Sequence, residues 1–179
     1  MYLNVSIMRR KLIKYYGKGN FIMEYQTDYD FLVEQLKAVT ESETDTIANL
    51  SNASAVLQMN LEDINWVGFY LVRKEQLVLG PFQGRPACVR IDFGKGVCGT
   101  AAATGVTQLV PNVHEFPGHI ACDGASNSEI VIPMFHEGKL TAVLDIDSPV
   151  FHRFTEIDRV GLERCAAVLS ASCCWQPVL

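Results

Sequence analysis

Long apolar runs are missing from these 179 residues: no window approaches the roughly 18 apolar residues that a membrane-spanning helix needs. A surplus of positive charge is missing too. Of the 15 Lys and Arg, five (Arg9, Arg10, Lys11, Lys14 and Lys18) fall in the first 22 residues, which hold no acid, so the remainder sets 10 bases against 20 acids. That balance argues against nucleic acid as a partner. No two of the six cysteines stand at the C-x2-4-C spacing of structural zinc sites. Internal repeats and low-complexity linkers are absent as well. The basic opening lacks the continuous apolar stretch and small-residue cleavage site of a secretory leader. The chain is therefore expected in the cytoplasm, with reduced thiols whose functional members are catalytic or metal-binding.

What remains is ordinary for a soluble globular protein: 49% hydrophobic and 20% charged residues, in a length that buries a real core. Residues 1–22 are expected to be an extension outside the fold, and residues 23–179 one domain. A largely apolar stripe recurs at helical spacing over 28–39 (Phe31, Leu32, Leu36 and Val39, with the polar Gln35) and over 44–60 (Ile47, Leu50 and Leu57, with the polar Ser54, extending to Leu61). Strand-like runs follow in 65-NWVGFYLVR-73, 76-QLVLGPF-82, 88-CVRI-91, 107-TQLVP-111, 128-SEIVIPMFH-136 and 139-KLTAVLDID-147. Between the third and fourth lies 94-GKGVCGTAAATG-105, a glycine-rich turn entering a short helix. A last helix starts near Thr155, where Asp158 three residues on suggests a capping box, and carries Ile157, Val160, Leu162, Val168 and Leu169. Strands outnumber crossover helices, and the helices gather at the two ends. That pattern predicts an α+β fold, an antiparallel sheet with helices on one face.

Alternation along the last two strands places Glu129, Val131, Pro133 and Phe135 on one face of the first, and Val143, Asp145 and Asp147 together on the second. A two-residue loop, Glu137-Gly138, would set Glu129 opposite Ile146. A three-residue loop from His136 would set it opposite Asp145, with Gly138 left-handed, and is the favoured expectation. Three carboxylates on one face read either as a solvated hairpin end or as a cation-recognition site, for a divalent ion or a ligand ammonium.

Among the cysteines, Cys165 reads as a small buried hydrophobe, and Cys173 and Cys174 sit at a fraying terminus. Cys88 falls at a strand start. Cys98 falls in the first turn of a helix, where the helix dipole would lower a thiol's proton affinity. Cys122, in 118-GHIACDGASNSEIV-131, has polar and small neighbours and is a poor candidate for core filler. A metal site from Cys88, Cys98, Cys122 and His114 or His119 is disfavoured by the long gaps. The G-x-G-x-x-G match at 94–99 lies outside any βαβ order and does not indicate a dinucleotide fold, though its N–H groups would suit a small anion. Trp66, Gly68 and Tyr70 share a face, and the bare Gly68 is expected to leave room against the two rings.

Together, 65-NWVGFYL-71, 79-LGPFQGRPACVRI-91, 94-GKGVCGTAA-102, 118-GHIACD-123, 127-NSEIVIP-133 and 143-VLDIDS-148 resemble the free methionine-(R)-sulfoxide reductases, GAF-domain enzymes acting on the free amino acid. The likeness runs over roughly residues 28–170 in the same order. It implies a GAF-like fold, a central antiparallel sheet with flanking N- and C-terminal helices. It implies Cys122 as the nucleophile that becomes a sulfenic acid, Cys88 as the resolving thiol that closes a disulfide, and Cys98 as a third cysteine and second relay. Glu129, Asp145 and Asp147 would hold the substrate ammonium, with Trp66 as the wall against the sulfoxide end and Tyr70 beside it. No bound cofactor or metal is implied; thioredoxin would be the external reductant, and the enzyme a homodimer. The basic opening and the tail 172-SCCWQPVL-179 depart from the family pattern. The competing reading, from another class, is a non-catalytic GAF module that senses a small molecule or redox state.

Overall fold

The computed structural model describes the backbone of residues 9–16, 20–118 and 124–175, and the side chains of 26–118 and 124–175. A hairpin comes first, β1 (Arg9–Tyr16) and β2 (Asn20–Thr27), paired in a two-stranded sheet of its own. Helices α1 (Tyr29–Thr40) and α2 (Thr46–Asn60) follow. Then come β3 (Trp66–Arg73), β4 (Gln76–Gln83), β5 (Arg90–Asp92), α3 (Gly96–Thr104) and β6 (Gln108–Val110). The hairpin β7 (Ser128–His136) and β8 (Lys139–Ser148) and helix α4 (Glu156–Ser172) complete the elements of the described residues. The six strands from β3 onward make one antiparallel sheet in the order β5-β4-β3-β8-β7-β6, so the acid-bearing β8 is central and its acid-bearing neighbour β7 is also an interior strand.

Both faces of that sheet are covered, which is why β3 is buried along six consecutive residues instead of alternating with solvent. Val67, Phe69, Leu71, Ile130, Ile132, Met134, Leu144 and Ile146 point to the face packed by α1, α2 and α4. Each such aliphatic side chain contributes roughly 1.5–3 kcal/mol by burial. The expected helices on one face are there. The other face is closed by α3 and the loops around it, over a smaller cluster containing Trp66, Tyr70, Cys98, Val131 and Val143. Glu129, Asp145 and Asp147 lie on this second face, in register with Trp66, Gly68 and Val131.

The helix ends follow local chemistry. Asp28 and Asp45 accept hydrogen bonds from Phe31 N and Ala48 N and so cap α1 and α2. At α4 the capping box is complete: Thr155 N donates to Asp158 Oδ2 (2.8 Å), and Asp158 N donates to Thr155 Oγ1 (3.4 Å). Asp158 also accepts from the Tyr29 hydroxyl at 2.7 Å, tying α4 to α1. The buried stripe of α4 is Gly161, Leu162, Cys165 and Leu169, while Ile157 and Val160 are half exposed, as is Ile47 of α2. Gly161 is buried because it lies against the Tyr29 ring with no space for a Cβ. Among the described residues no helix is long and apolar enough to cross a membrane.

Candidate active site

Register decides which acids meet. Glu137 (φ 50°) and Gly138 (φ 76°) form a two-residue turn with both residues left-handed, so the expected three-residue loop is not adopted. The ladder opens at His136↔Lys139 and then shifts by one residue between Met134 and Phe135, where β8 carries an extra residue. The bulge restores the parity that a two-residue turn alone would lose. Glu129 pairs with Asp147 and Val131 with Asp145, so the three acids share a face, and Glu129 does not stand opposite Asp145 as expected. On the other flank of β8, Trp66 pairs with Asp147 and Gly68 with Asp145. Aromatic and acidic residues therefore line the same side of neighbouring strands.

Helix α3 supplies a third component to that face. Cys98, in its first turn, approaches the acids from above, with Sγ 4.0 Å from Glu129 Oε1. One donor atom each from Cys98, Glu129 and Asp145 lies within 4.8 Å of the other two. Glu129 and Asp145 are each only 6% exposed, and Cys98 only 4%. Asp147, at the rim, is half-buried.

Burial dominates the electrostatics. It pushes the Glu129 carboxyl well above the ordinary range, reinforced by the charges of Asp145 and Asp147. Asp145 is pushed up to about 6 by burial, against hydrogen bonds from Cys98 and Glu129 that favour its charged form. Its Oδ1 is buried and has no hydrogen-bond partner among the described residues. The Cys98 thiol is driven up by burial and then by Asp145 and Glu129. The lowered proton affinity expected from the helix terminus is thus overturned: two carboxylates and the loss of solvent outweigh the dipole.

The aromatic wall is a stack of three rings. Trp66 lies 6.0 Å from Tyr70 (25° between planes) and 5.3 Å from Phe82 (14°). Phe82 was not singled out from sequence, and its signal was its pairing with a glycine, Gly68↔Phe82, which only the strand register reveals. The space above Gly68 is filled, contrary to the expectation that the glycine leaves room there. A Cβ there would collide with Phe82 and come 2.7 Å from Trp66, so the glycine exists to let the rings close over the strand. The indole Nε1 donates to Arg85 O at 3.0 Å, fixing the loop that leads to Cys88. Cys88 is half-buried against the same cluster.

Other candidate residues stand apart from this arrangement. Within the glycine-rich turn, Gly94 N donates to Gly99 O (2.7 Å) and Lys95 N to Asp92 O (3.1 Å), so these two N–H groups are committed and do not cradle an anion. His114 Nε2 hydrogen-bonds Asn127 Oδ1 at 2.9 Å and its ring faces Phe151, a loop histidine in a structural role. Cys165 and Cys173 are buried away from the acid face among the large helical core. Cys122, the expected nucleophile, and His119 lie outside the described residues.

This fold and face define the class. The GAF domain family matches residues 42–171. The free methionine-R-sulfoxide reductase of Escherichia coli (strain K12) is 53% identical over 141 residues, spanning 79% of this chain and 86% of that protein. The Saccharomyces cerevisiae protein of the same name is 44% identical over 154 residues, with the same shares of each chain, 79% and 86%. A solved structure, fRMsr of Staphylococcus aureus in complex with substrate, superposes with a TM-score of 0.79 at 50% identity, over 82% of this chain and 96% of that one. The chain belongs to the GAF-domain family and, within it, to the free methionine-R-sulfoxide reductases.

Proposed function

We propose that this protein reduces free L-methionine (R)-S-oxide to L-methionine, with Glu129 and Asp145 receiving the substrate ammonium, Asp147 at the rim, and the Trp66–Tyr70 wall lying against the methyl-sulfoxide end. The observation that carries this reading is the buried Glu129–Asp145 pair beside a stacked aromatic wall on one sheet face. Such a pair is costly without a cation, and a free amino acid brings one. A peptide-linked methionine has no ammonium to offer, so the acids select the free amino acid.

In the reaction, the Cys122 thiolate attacks the sulfoxide sulfur. An Sγ–S bond forms, the oxygen takes a proton and passes from the methionine sulfur to Cys122 Sγ, and the Sγ–S bond breaks, leaving Cys122 as a sulfenic acid and methionine as the thioether. The Cys88 thiol then attacks that sulfenic sulfur, forming a disulfide and releasing water. A thioredoxin dithiol returns two electrons and two protons to reopen it. Cys98, with its proton held tightly between two acids, is the weaker attacking thiol, which favours Cys88 as the main resolving partner. The reading places the enzyme in the cytoplasm as a homodimer, without a bound cofactor.

The test is NADPH oxidation coupled through thioredoxin reductase and thioredoxin. Free methionine R-sulfoxide is expected to be turned over, while its S epimer and a peptide-bound sulfoxide are not. Cys122→Ser should abolish turnover; full activity in that variant removes the nucleophile assignment, and equal use of the peptide sulfoxide removes the ammonium argument.

A further inference from the structure

The same three side chains have a capacity that ammonium recognition leaves unused. Cys98, Glu129 and Asp145 bring one sulfur and two oxygen donors together from three separate elements, all within 4.8 Å of one another and all buried. Asp145 Oδ1 is an acceptor without a hydrogen-bond partner among the described residues. We infer that, when no substrate is present, this triad binds a thiophilic divalent cation of the zinc class, and that the ion and the substrate ammonium exclude each other.

Geometry and donor chemistry both favour this ion. With bonds of about 2.3 Å to sulfur and about 2.1 Å to oxygen, tetrahedral coordination sets neighbouring donors roughly 3.6 Å apart. The Cys98–Glu129 separation is already 4.0 Å. Closing the remaining distance takes a side-chain adjustment of about 1 Å, which the flexible Glu129 supplies while strands and helix stay fixed. A thiolate among the donors selects zinc-class ions over magnesium or calcium. Three protein donors leave a fourth position for water, the arrangement of an open zinc site. Three buried anionic groups are unfavourable alone, and a dication compensates them, with protons released on binding. Cys98, Glu129 and Asp145 lie 31 and 16 residues apart along the chain, so no local motif announces the site. A metal ion here occupies the acids proposed to receive the substrate ammonium and ties up a thiol without any change of fold, making the reduced enzyme inhibitable by free zinc. The exclusion of substrate rests on the proposed function; the binding of metal does not.

The experiment titrates the phosphine-reduced, metal-free full-length protein with Co2+ and then Zn2+. A thiolate-to-cobalt charge-transfer band is expected, bleached by zinc. Cys98→Ser should abolish the band, and Cys98→Ser and Asp145→Asn should each weaken zinc binding by at least about 10–100-fold, the range already seen when only supporting residues of metal sites are lost. Circular dichroism establishes that each variant is folded, and if Cys98→Ser is not, Asp145→Asn decides. An unchanged band in Cys98→Ser, or unchanged zinc affinity in folded Asp145→Asn, overturns the site. So does loss of the band in Cys122→Ser with retention in Cys98→Ser, which would put the metal on other thiols. Saturating free methionine R-sulfoxide should raise the apparent zinc dissociation constant in proportion to its concentration. Zinc affinity indifferent to that ligand overturns the exclusion. Turnover by the metal-free enzyme is a separate readout, so failure of the metal site and failure of the reductase reading are distinguishable.

Discussion

Replacing Glu129 by Gln removes one buried charge while keeping the side chain's size and most of its packing. In the substrate-free protein the charge it removes is an unfavourable one, since burial and two neighbouring acids already oppose its ionisation. The new amide NH2 can donate to Asp145, whose Oδ1 is an acceptor with no hydrogen-bond partner among the described residues. Folding stability should therefore change by less than about 1 kcal/mol, or rise. Substrate binding should respond quite differently. At an effective dielectric constant of about 20, an ammonium about 4 Å from a carboxylate gains about 4 kcal/mol before desolvation is deducted. Hydrogen bonds to charged groups retain a net of about 1.5–3 kcal/mol, which corresponds to a rise in KM of roughly tenfold to a hundredfold. The assay is steady-state turnover with free methionine R-sulfoxide and with its N-acetyl derivative, alongside urea denaturation. The variant should lose affinity for the free amino acid and keep its poor affinity for the acetylated one, so the discrimination between them collapses. A stability loss above about 3 kcal/mol with unchanged KM would refute the reasoning and make the acids structural.

Three further expectations follow from the packing and the thiols. Gly68→Ala should destabilise by about 1–3 kcal/mol and alter tryptophan fluorescence, because its methyl collides with Phe82 and the Trp66 ring; unaltered stability and emission would mean the stack is not tight. Thr155→Ala should cost about 1 kcal/mol in urea denaturation by removing one half of the α4 capping box, and no loss would show that the Asp158 contacts to Thr155 N and Tyr29 suffice. Burial pushes Cys165 up to about 12 and Cys173 up to about 11, so native protein at pH 8 should alkylate slowly at both and rapidly at the exposed Cys174. Mass spectrometry of iodoacetamide-treated protein reads this directly, and fast labelling of Cys165 would place it outside the core.

Much of the architecture was legible because it depends on local pattern. Alternating and helical periodicities located the strands and helices of the main sheet, since each period reports which side of an element meets apolar neighbours. The capping box at Thr155 and the left-handed Gly138 are likewise short-range chemistry. Helix faces were less secure: Ile157 and Val160 belong to the apolar pattern of α4 yet stand half exposed, because Gly161 and the Tyr29 ring set the rotation of the helix. The role of Gly68 was misread for a related reason. Sequence shows that a side chain is missing, but only the neighbouring strand shows that Phe82 has taken the room.

Side-chain parity, a property of the chain itself, fixed that Glu129, Asp145 and Asp147 are candidates for one face. Their partners were decided at a distance. The two-residue turn alone would set Glu129 opposite Ile146, and one extra residue on β8 moves it to Asp147 and so back to the face of the other acids, an outcome that loop length alone does not predict. The approach of Cys98 to the same acids depends on how α3 packs over the middle of the sheet. So does the sign of its response: a helix terminus favours thiolate, whereas removal from water beside two carboxylates holds the proton on. Sequence determined which groups with this chemistry the chain carries and which of them share a strand face. Tertiary structure decided their separation and their access to water, and these two quantities set how strongly buried charges act on one another.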